Sequence, residues 1–283
     1  MFMKLLDRLE KIPYWVLLSL AMNCLLVMAV VVSWGRDRPE AAVSKTPSPS
    51  MLPQANASVS TQAEGDRLMT AVGDRQYLNY QQWVDLLRQE AAAHTDAPRL
   101  TVLMGDSISL WFPQEFLPGR RTWLNQGISG ENSEMMSRRL DALDGAQLET
   151  IFVMVGINDL ILGIPEKEVA RNIEKSVQYL KQQHPDADII VQSILPHGAE
   201  RATWEGRDRL LQLPNDRIQA VNTAIAKMAA AEGVHYLDLY PLFANGEGAL
   251  RPDLTTDGLH LNERGYLVWR TAIALLLHNE LGD

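Results

Sequence analysis

Ser107 follows the apolar run Leu100-Thr-Val-Leu-Met104, in the order Gly105-Asp106-Ser107. A serine hydroxyl becomes a nucleophile only beside a base, and near neutral pH histidine is the usual one. Asp257 and His260 stand three residues apart in Asp257-Gly-Leu-His260. On one tight turn that spacing lets a carboxylate hold an imidazole N–H and fix the ring. Acyl transfer also needs N–H donors for its oxyanion, each worth about 10²–10³ in rate. Gly127 offers a backbone N–H without side-chain obstruction, and Asn158 offers a side-chain amide. Ser107 adds its own N–H at a strand-to-helix turn, where unpaired amides favour negative charge. The candidate set is therefore Ser107 as nucleophile, His260 as base, Asp257 as orienting acid, and Ser107, Gly127 and Asn158 as oxyanion donors.

These residues are distant in the chain, so a fold must gather them. Short apolar runs predict strands at Leu100–Met104, Thr122–Asn125, Thr150–Val155, Ala187–Ser193 and Val234–Asp238. Small or polar residues come after every run: Gly105-Asp-Ser107, Gln126 to Asn132, Gly156-Ile-Asn158-Asp159, Leu195-Pro-His197-Gly198, and Thr256 to Asn262. Helical spacing appears between them. Tyr80, Trp83, Val84 and Leu87 start the domain, and Val169, Ile173, Val177 and Leu180 follow Pro165. A third helix is predicted with Asn215 as its cap, Ile218, Val221 and Ile225 on one face, and Gly233 at its end. A last one begins after Asn262 and runs to about His278. Alternating strands and helices imply a parallel sheet covered on both faces, whose carboxyl edge is where sites form.

Four blocks, Gly105-Asp-Ser107, Gly127, Gly156-Ile-Asn158-Asp159 and Asp257-Gly-Leu-His260, resemble in order those of the GDSL-type (SGNH) hydrolases. The wider wording, Asn125-Gln-Gly-Ile-Ser-Gly130 and Gln192-Ser-Ile-Leu-Pro196, is similar to the branch that includes platelet-activating-factor acetylhydrolase subunits and bacterial acyl esterases. The resemblance covers about Leu100 to Leu277. It implies an α/β fold of the three-layer αβα, flavodoxin-like kind with a five-stranded parallel sheet. It assigns the same Ser107, His260, Asp257, Gly127 and Asn158, and it implies neither a metal nor an organic cofactor. Asp106 and Asp159 read as structural residues that fix loops. His197 borders the pocket by placement and is a candidate substrate contact; Trp111, Phe112 and Trp123 read as core, with Trp111 or Phe112 able to line an acyl pocket.

Composition closes off other classes. The 283 residues carry 26 Lys+Arg and 35 Asp+Glu, a net charge of −9 that argues against a nucleic-acid partner. A 46% hydrophobic fraction is too high for a disordered chain, and one Cys supplies neither a disulfide framework nor a thiolate zinc site. There is no Gly-x-Ser-x-Gly elbow, P-loop or His-Glu-x-x-His motif.

The N-terminus is different in kind. After a short segment, 1–12, residues 13–34 hold no charge, and about 22 residues at ~1.5 Å rise span a bilayer core. Tyr14, Trp15 and Trp34 mark its ends. A cleaved signal peptide would have a shorter apolar run and a better cleavage site than Val31-Val-Ser33, so an uncleaved anchor is expected. Residues 35–74, rich in Pro, Ser, Ala and Gln, read as a disordered linker to a catalytic domain at 75–283. Lys4, Arg8 and Lys11 before the span favour a single-pass protein with an extracytoplasmic catalytic domain. Taken together, the sequence predicts a membrane-anchored serine esterase removing O-acetyl or short acyl groups from an acylated glycan or lipid. A lysophospholipase or thioesterase, or an O-acyltransferase, would use the same residues, and a binding module would keep only the fold. Nothing in the pattern specifies an oligomeric state.

Overall fold

The computed structural model describes residues 78–282. The predicted anchor at 13–34, the linker at 35–74 and the segment 1–12 lie outside the described residues. Among the described residues no helix is long and apolar enough to cross a membrane.

The elements match the alternation of apolar runs. In chain order they are α1 (Tyr80–Ala93), β1 (Leu100–Gly105), α2 (Ser107–Leu110), β2 (Thr122–Gly127), α3 (Ser133–Ser137), β3 (Leu148–Met154), α4 (Ile157–Ile161) and α5 (Glu166–Gln183). Next come β4 (Asp188–Gln192), α6 (Arg207–Leu211), α7 (Asn215–Glu232), β5 (His235–Leu237), α8 (Tyr240–Phe243) and α9 (Glu263–Glu280). The five strands pair in parallel in the order β2-β1-β3-β4-β5. All six residues of β1 are buried, as a strand covered on both faces must be.

That order places the reversal of winding between β1 and β3. The β1→β2 crossover runs one way along the sheet; β3→β4 and β4→β5 run the other. Because parallel crossovers are right-handed, the two sets of connections fall on opposite faces, which makes three layers. The amphipathic α5 and α7 pack together on one of them. Phe112, from the β1→β2 connection, packs against Tyr266 and Trp269 of α9 at ring-centroid distances of 5.2 and 4.9 Å, so α9 shares the other face. A crevice at the carboxyl edge, where the winding reverses, is the expected place for a ligand in such a sheet.

The structure corrects one cap. Asn215 is the first residue of α7, not its N-cap, which is Pro214. The Asn215 side chain instead clasps the loop after β4, accepting from His197 N and donating to His197 O, each at 3.0 Å. Proline already supplies the extended φ and ψ that precede a helix, so the amide was free for a longer-range task. Elsewhere the helix ends behave as their residues require. Asn262 caps α9 by accepting from Gly265 N, and Gly233 closes α7 at φ +67°.

Trp269 is the largest of the fully buried side chains, and its Nε1 donates to Gln192 Oε1 at 2.7 Å. Trp269→Ala should therefore lower stability by about 3–5 kcal/mol, through a cavity and an orphaned acceptor. Urea unfolding of the variant checks this; a loss near zero would mean that α9 is not part of the cooperative core.

Candidate active site

Ser107 opens α2 immediately beyond β1, and Asp106 caps that short helix by accepting from Ile108 N at 2.9 Å. The neighbouring strands press close here. A Cβ on Gly127 would lie 2.4 Å from Leu110 N and 2.9 Å from Asp106 O, so only glycine lets the end of β2 lie against the turn that bears Ser107. Gly105 is enclosed in the same way, with Met154 O and Ser109 Oγ where a side chain would go.

Asp257 and His260 come from a different part of the chain. Asp257 and His260 occupy a tight turn between Thr255 and Leu261, which form an isolated antiparallel bridge. Asp257 Oδ1 accepts from the backbone N–H groups of Leu259 and His260 at 2.9 and 2.8 Å. Its Oδ2 meets His260 Nδ1 at 2.7 Å. Gly258, at φ +88°, makes this turn possible, and a Cβ there would strike Ala202 Cα at 2.6 Å. Two further bonds join the turn to the loop after β4: Gly198 N donates to Gly258 O at 2.6 Å, and Thr203 N to Asp257 O at 2.7 Å.

Across the crevice, His260 Nε2 lies 3.2 Å from Ser107 Oγ. Hydroxyl, imidazole and carboxylate thus form one unbroken line, and both Ser107 and His260 are only 6% exposed. Burial alone would raise the Asp257 carboxyl, but hydrogen bonds from the His260 ring and from two backbone N–H groups outweigh it and hold the group below the usual carboxylate range. The acid in the line is therefore ionised where an imidazole needs a partner.

The remaining oxyanion candidates each have one partner within the protein. Asn158, in α4, donates one amide N–H to Glu131 O at 2.9 Å, which leaves its second hydrogen. Gly127 N donates to Asn125 Oδ1 at 3.0 Å, so this amide reaches a substrate only by sharing its hydrogen or releasing Asn125. Asp159 accepts from Ser133 N and Ser133 Oγ at 2.8 and 2.5 Å, bracing the loop opposite Asn158.

One residue occupies a different place from the one its position suggested. His197 is 1% exposed; its Nε2 donates to Leu213 O at 2.5 Å and its Nδ1 accepts from Ala199 N at 3.0 Å. With both ring nitrogens engaged inside the protein, it braces a loop and has nothing left for a substrate. Phe112 is core. Trp111 is half-buried and its ring stands over His260, with centroids 4.2 Å apart and a tilt of 38°. Asn125, Glu131 and Arg139 are contacts that spacing did not point to, although Glu131 is the only acid between Trp123 and Ser133. Among the described residues no group of three or more His, Cys, Asp or Glu is placed to hold a metal ion.

A profile of the GDSL-like lipase/acylhydrolase family matches residues 65–268, well over half of the sequence. The chain belongs to that family. It is an ester-hydrolysing enzyme. It is 28% identical over 209 residues to platelet-activating factor acetylhydrolase IB subunit alpha1 from Pongo abelii, covering 69% of this chain and 83% of that protein. The human alpha1 subunit is 26% identical over 208 residues, 70% of this chain and 82% of the relative. In structure, the enzyme shares its fold with a GDSL-like lipase from Bacteroides thetaiotaomicron: the TM-score is 0.60 at 22% identity, over 69% of this chain and 97% of that one.

Asp106 gives a test of the electrostatics. It is 1% exposed, and burial drives its carboxyl up to about 7; the Ile108 N–H opposes this, while the nearby Glu131 and Asp159 carboxylates add to it. The folded enzyme thus keeps a proton between about pH 4 and pH 7 that the unfolded chain has released, so this group's contribution to stability falls as pH rises through that window. Asp106→Asn can still accept from Ile108 N but has no charge to bury. Relative to the parent, it should gain on the order of a few kcal/mol between pH 4.5 and pH 8. Urea midpoints at the two pH values measure it, and a pH-independent difference would contradict the buried charge.

Proposed function

We propose that the enzyme is a serine esterase that removes O-acetyl or short acyl groups through an acyl-enzyme on Ser107. The observation that carries this reading is the continuous line Ser107 Oγ to His260 Nε2 to Asp257 Oδ2, at 3.2 and 2.7 Å. Ser107 Oγ attacks the ester carbonyl carbon as its proton passes to His260 Nε2. Asp257 orients the ring from its other nitrogen. The carbonyl oxygen, now carrying the charge, is met by the N–H groups of Ser107, Gly127 and Asn158. Collapse expels the alcohol, which takes the proton from His260. Water then attacks the acyl-enzyme, gives its proton to the same nitrogen, and the acid leaves as Ser107 recovers its hydrogen.

Several observations support a short acyl group. The alpha1 relatives are named acetylhydrolases. Ser107 and His260 are deeply set, and the Trp111 ring stands over His260 where an acyl chain would approach. For the alcohol part we favour an envelope glycan over a lipid. The uncharged segment 13–34 and the polar segment 35–74 would hold the domain by a single-pass anchor on the extracytoplasmic side, within reach of such a polymer.

Ser107→Ala should reduce turnover of an aryl acetate by at least about 10³-fold and abolish fluorophosphonate labelling, with the unfolding midpoint unchanged. Persistent labelling would refute the nucleophile. On the parent enzyme, kcat/KM across a series of aryl esters should be highest for acetyl and fall with each added pair of carbons. A maximum at long chains would replace the short-acyl reading with a lysophospholipase.

A further inference from the structure

Beneath the oxyanion candidates lies an ion pair that the acyl-transfer steps do not use. Glu131 is 0% and Arg139 2% exposed. Arg139 Nε meets Glu131 Oε1 at 2.6 Å and Nη2 meets Oε2 at 2.5 Å, a two-point contact, and the Tyr80 hydroxyl donates to Oε1 at 3.0 Å. Burying such a pair is a poor route to stability, because apolar residues of similar volume often do as well or better. Its position suggests another use.

Arg139 Nη2 also donates to Gln126 O at 2.6 Å. That carbonyl belongs to the same peptide unit as Gly127 N–H. A guanidinium on the oxygen fixes the plane of the peptide, and its charge polarises the amide so that the N–H becomes a stronger donor. On the other side, the main-chain oxygen of Glu131 accepts from Asn158 Nδ2 at 2.9 Å and so sets the rotamer of the second donor. One ion pair therefore joins the loop that presents Gly127 to the residue that orients Asn158.

We propose that Arg139, held by Glu131, is a positioning residue for the oxyanion pocket, acting through the Gln126–Gly127 peptide and through Asn158 without touching substrate. The assignment rests on the proposed role of Gly127 and Asn158 as oxyanion donors. It predicts a loss confined to the transition state, since a donor aimed at the oxyanion contributes little to ground-state binding.

Arg139→Lys tests it. Lysine keeps a positive charge beside Glu131, but one ammonium does not span a carboxylate and a peptide carbonyl as the planar fork does. With an aryl acetate, kcat should fall roughly 10–100-fold while KM stays within about threefold, a partial loss of donors each worth about 10²–10³. A boronic acid that forms a tetrahedral adduct on Ser107 should bind more weakly by the same factor, because it presents an oxygen to the pocket. Glu131→Gln, which retains a carbonyl for Arg139, should show the same pattern more mildly. A folded Arg139→Lys enzyme with kcat within about twofold of the parent would overturn the proposal, as would a loss expressed in KM with boronate affinity unchanged. Failure of both variants to fold would also count against it, by assigning the pair to the core. Asn158→Ala and Ser107→Ala run beside them keep the two readings apart. Full activity in Ser107→Ala removes the acyl-enzyme assignment and full activity in Asn158→Ala removes its oxyanion role, whereas their loss with an active Arg139→Lys removes only the positioning role.

Discussion

The 3.2 Å approach of Ser107 Oγ to His260 Nε2 joins residues 153 positions apart, and much of the architecture serves to hold it. One partner is fixed by the sheet. Ser107 stands two residues beyond β1, whose last residue, Gly105, is in register with Gly127 of β2 and Met154 of β3. The other partner belongs to no regular element. His260 is held by a turn whose own carboxylate binds two of its amides, with Thr255 Oγ1 donating to the His260 carbonyl at 2.6 Å. Tyr266, at the start of α9, then donates from its hydroxyl to Ile108 O at 3.0 Å, tying the element after the turn to the helix that bears the serine. Small residues and short hydrogen bonds substitute here for the rigidity that a sheet would otherwise supply.

The pocket also concentrates buried acid. Asp106, Glu131 and Asp159 are each 1% exposed or less, and burial raises all three above the usual carboxylate range. The acids differ in what offsets that burial. Glu131 has a guanidinium and a phenol, Asp159 has the amide and hydroxyl of Ser133, and Asp106 has backbone N–H groups alone. Asp257, bound by His260 and two amides, shifts in the opposite direction. The Asp257 side chain is 17% exposed, so its donors have less burial to overcome than those of the other three acids.

The parts of this site that were legible in the sequence are those governed by local rules. Strand ends followed by Gly-Asp-Ser, Gly-Ile-Asn-Asp or Asp-Gly-Leu-His signal turns, and five such ends in a parallel sheet must share an edge. Asp257 and His260 are close because three residues on a turn make them so. What escaped was set by contacts between distant segments. Nothing near Asn215 shows that Pro214 frees its side chain for His197, and nothing near His197 shows that Leu213 and Ala199 will take its two nitrogens. Arg139 lies eight residues after Glu131, past the short helix α3, so no periodic pattern pairs them. The Asn125 bond to Gly127 was likewise invisible, since it depends on a side chain folding back over its own strand end.

Gly258 packs directly on Ala202, with no room for an added carbon. The loop after β4 and the turn that presents the imidazole therefore move as one body. A larger side chain at Gly198 or Ala202 would press on Gly258 and displace the imidazole with it. Leu162, just past the helix that carries Asn158, is 59% exposed and under no such steric limit, so a change of side chain there leaves the imidazole where it is.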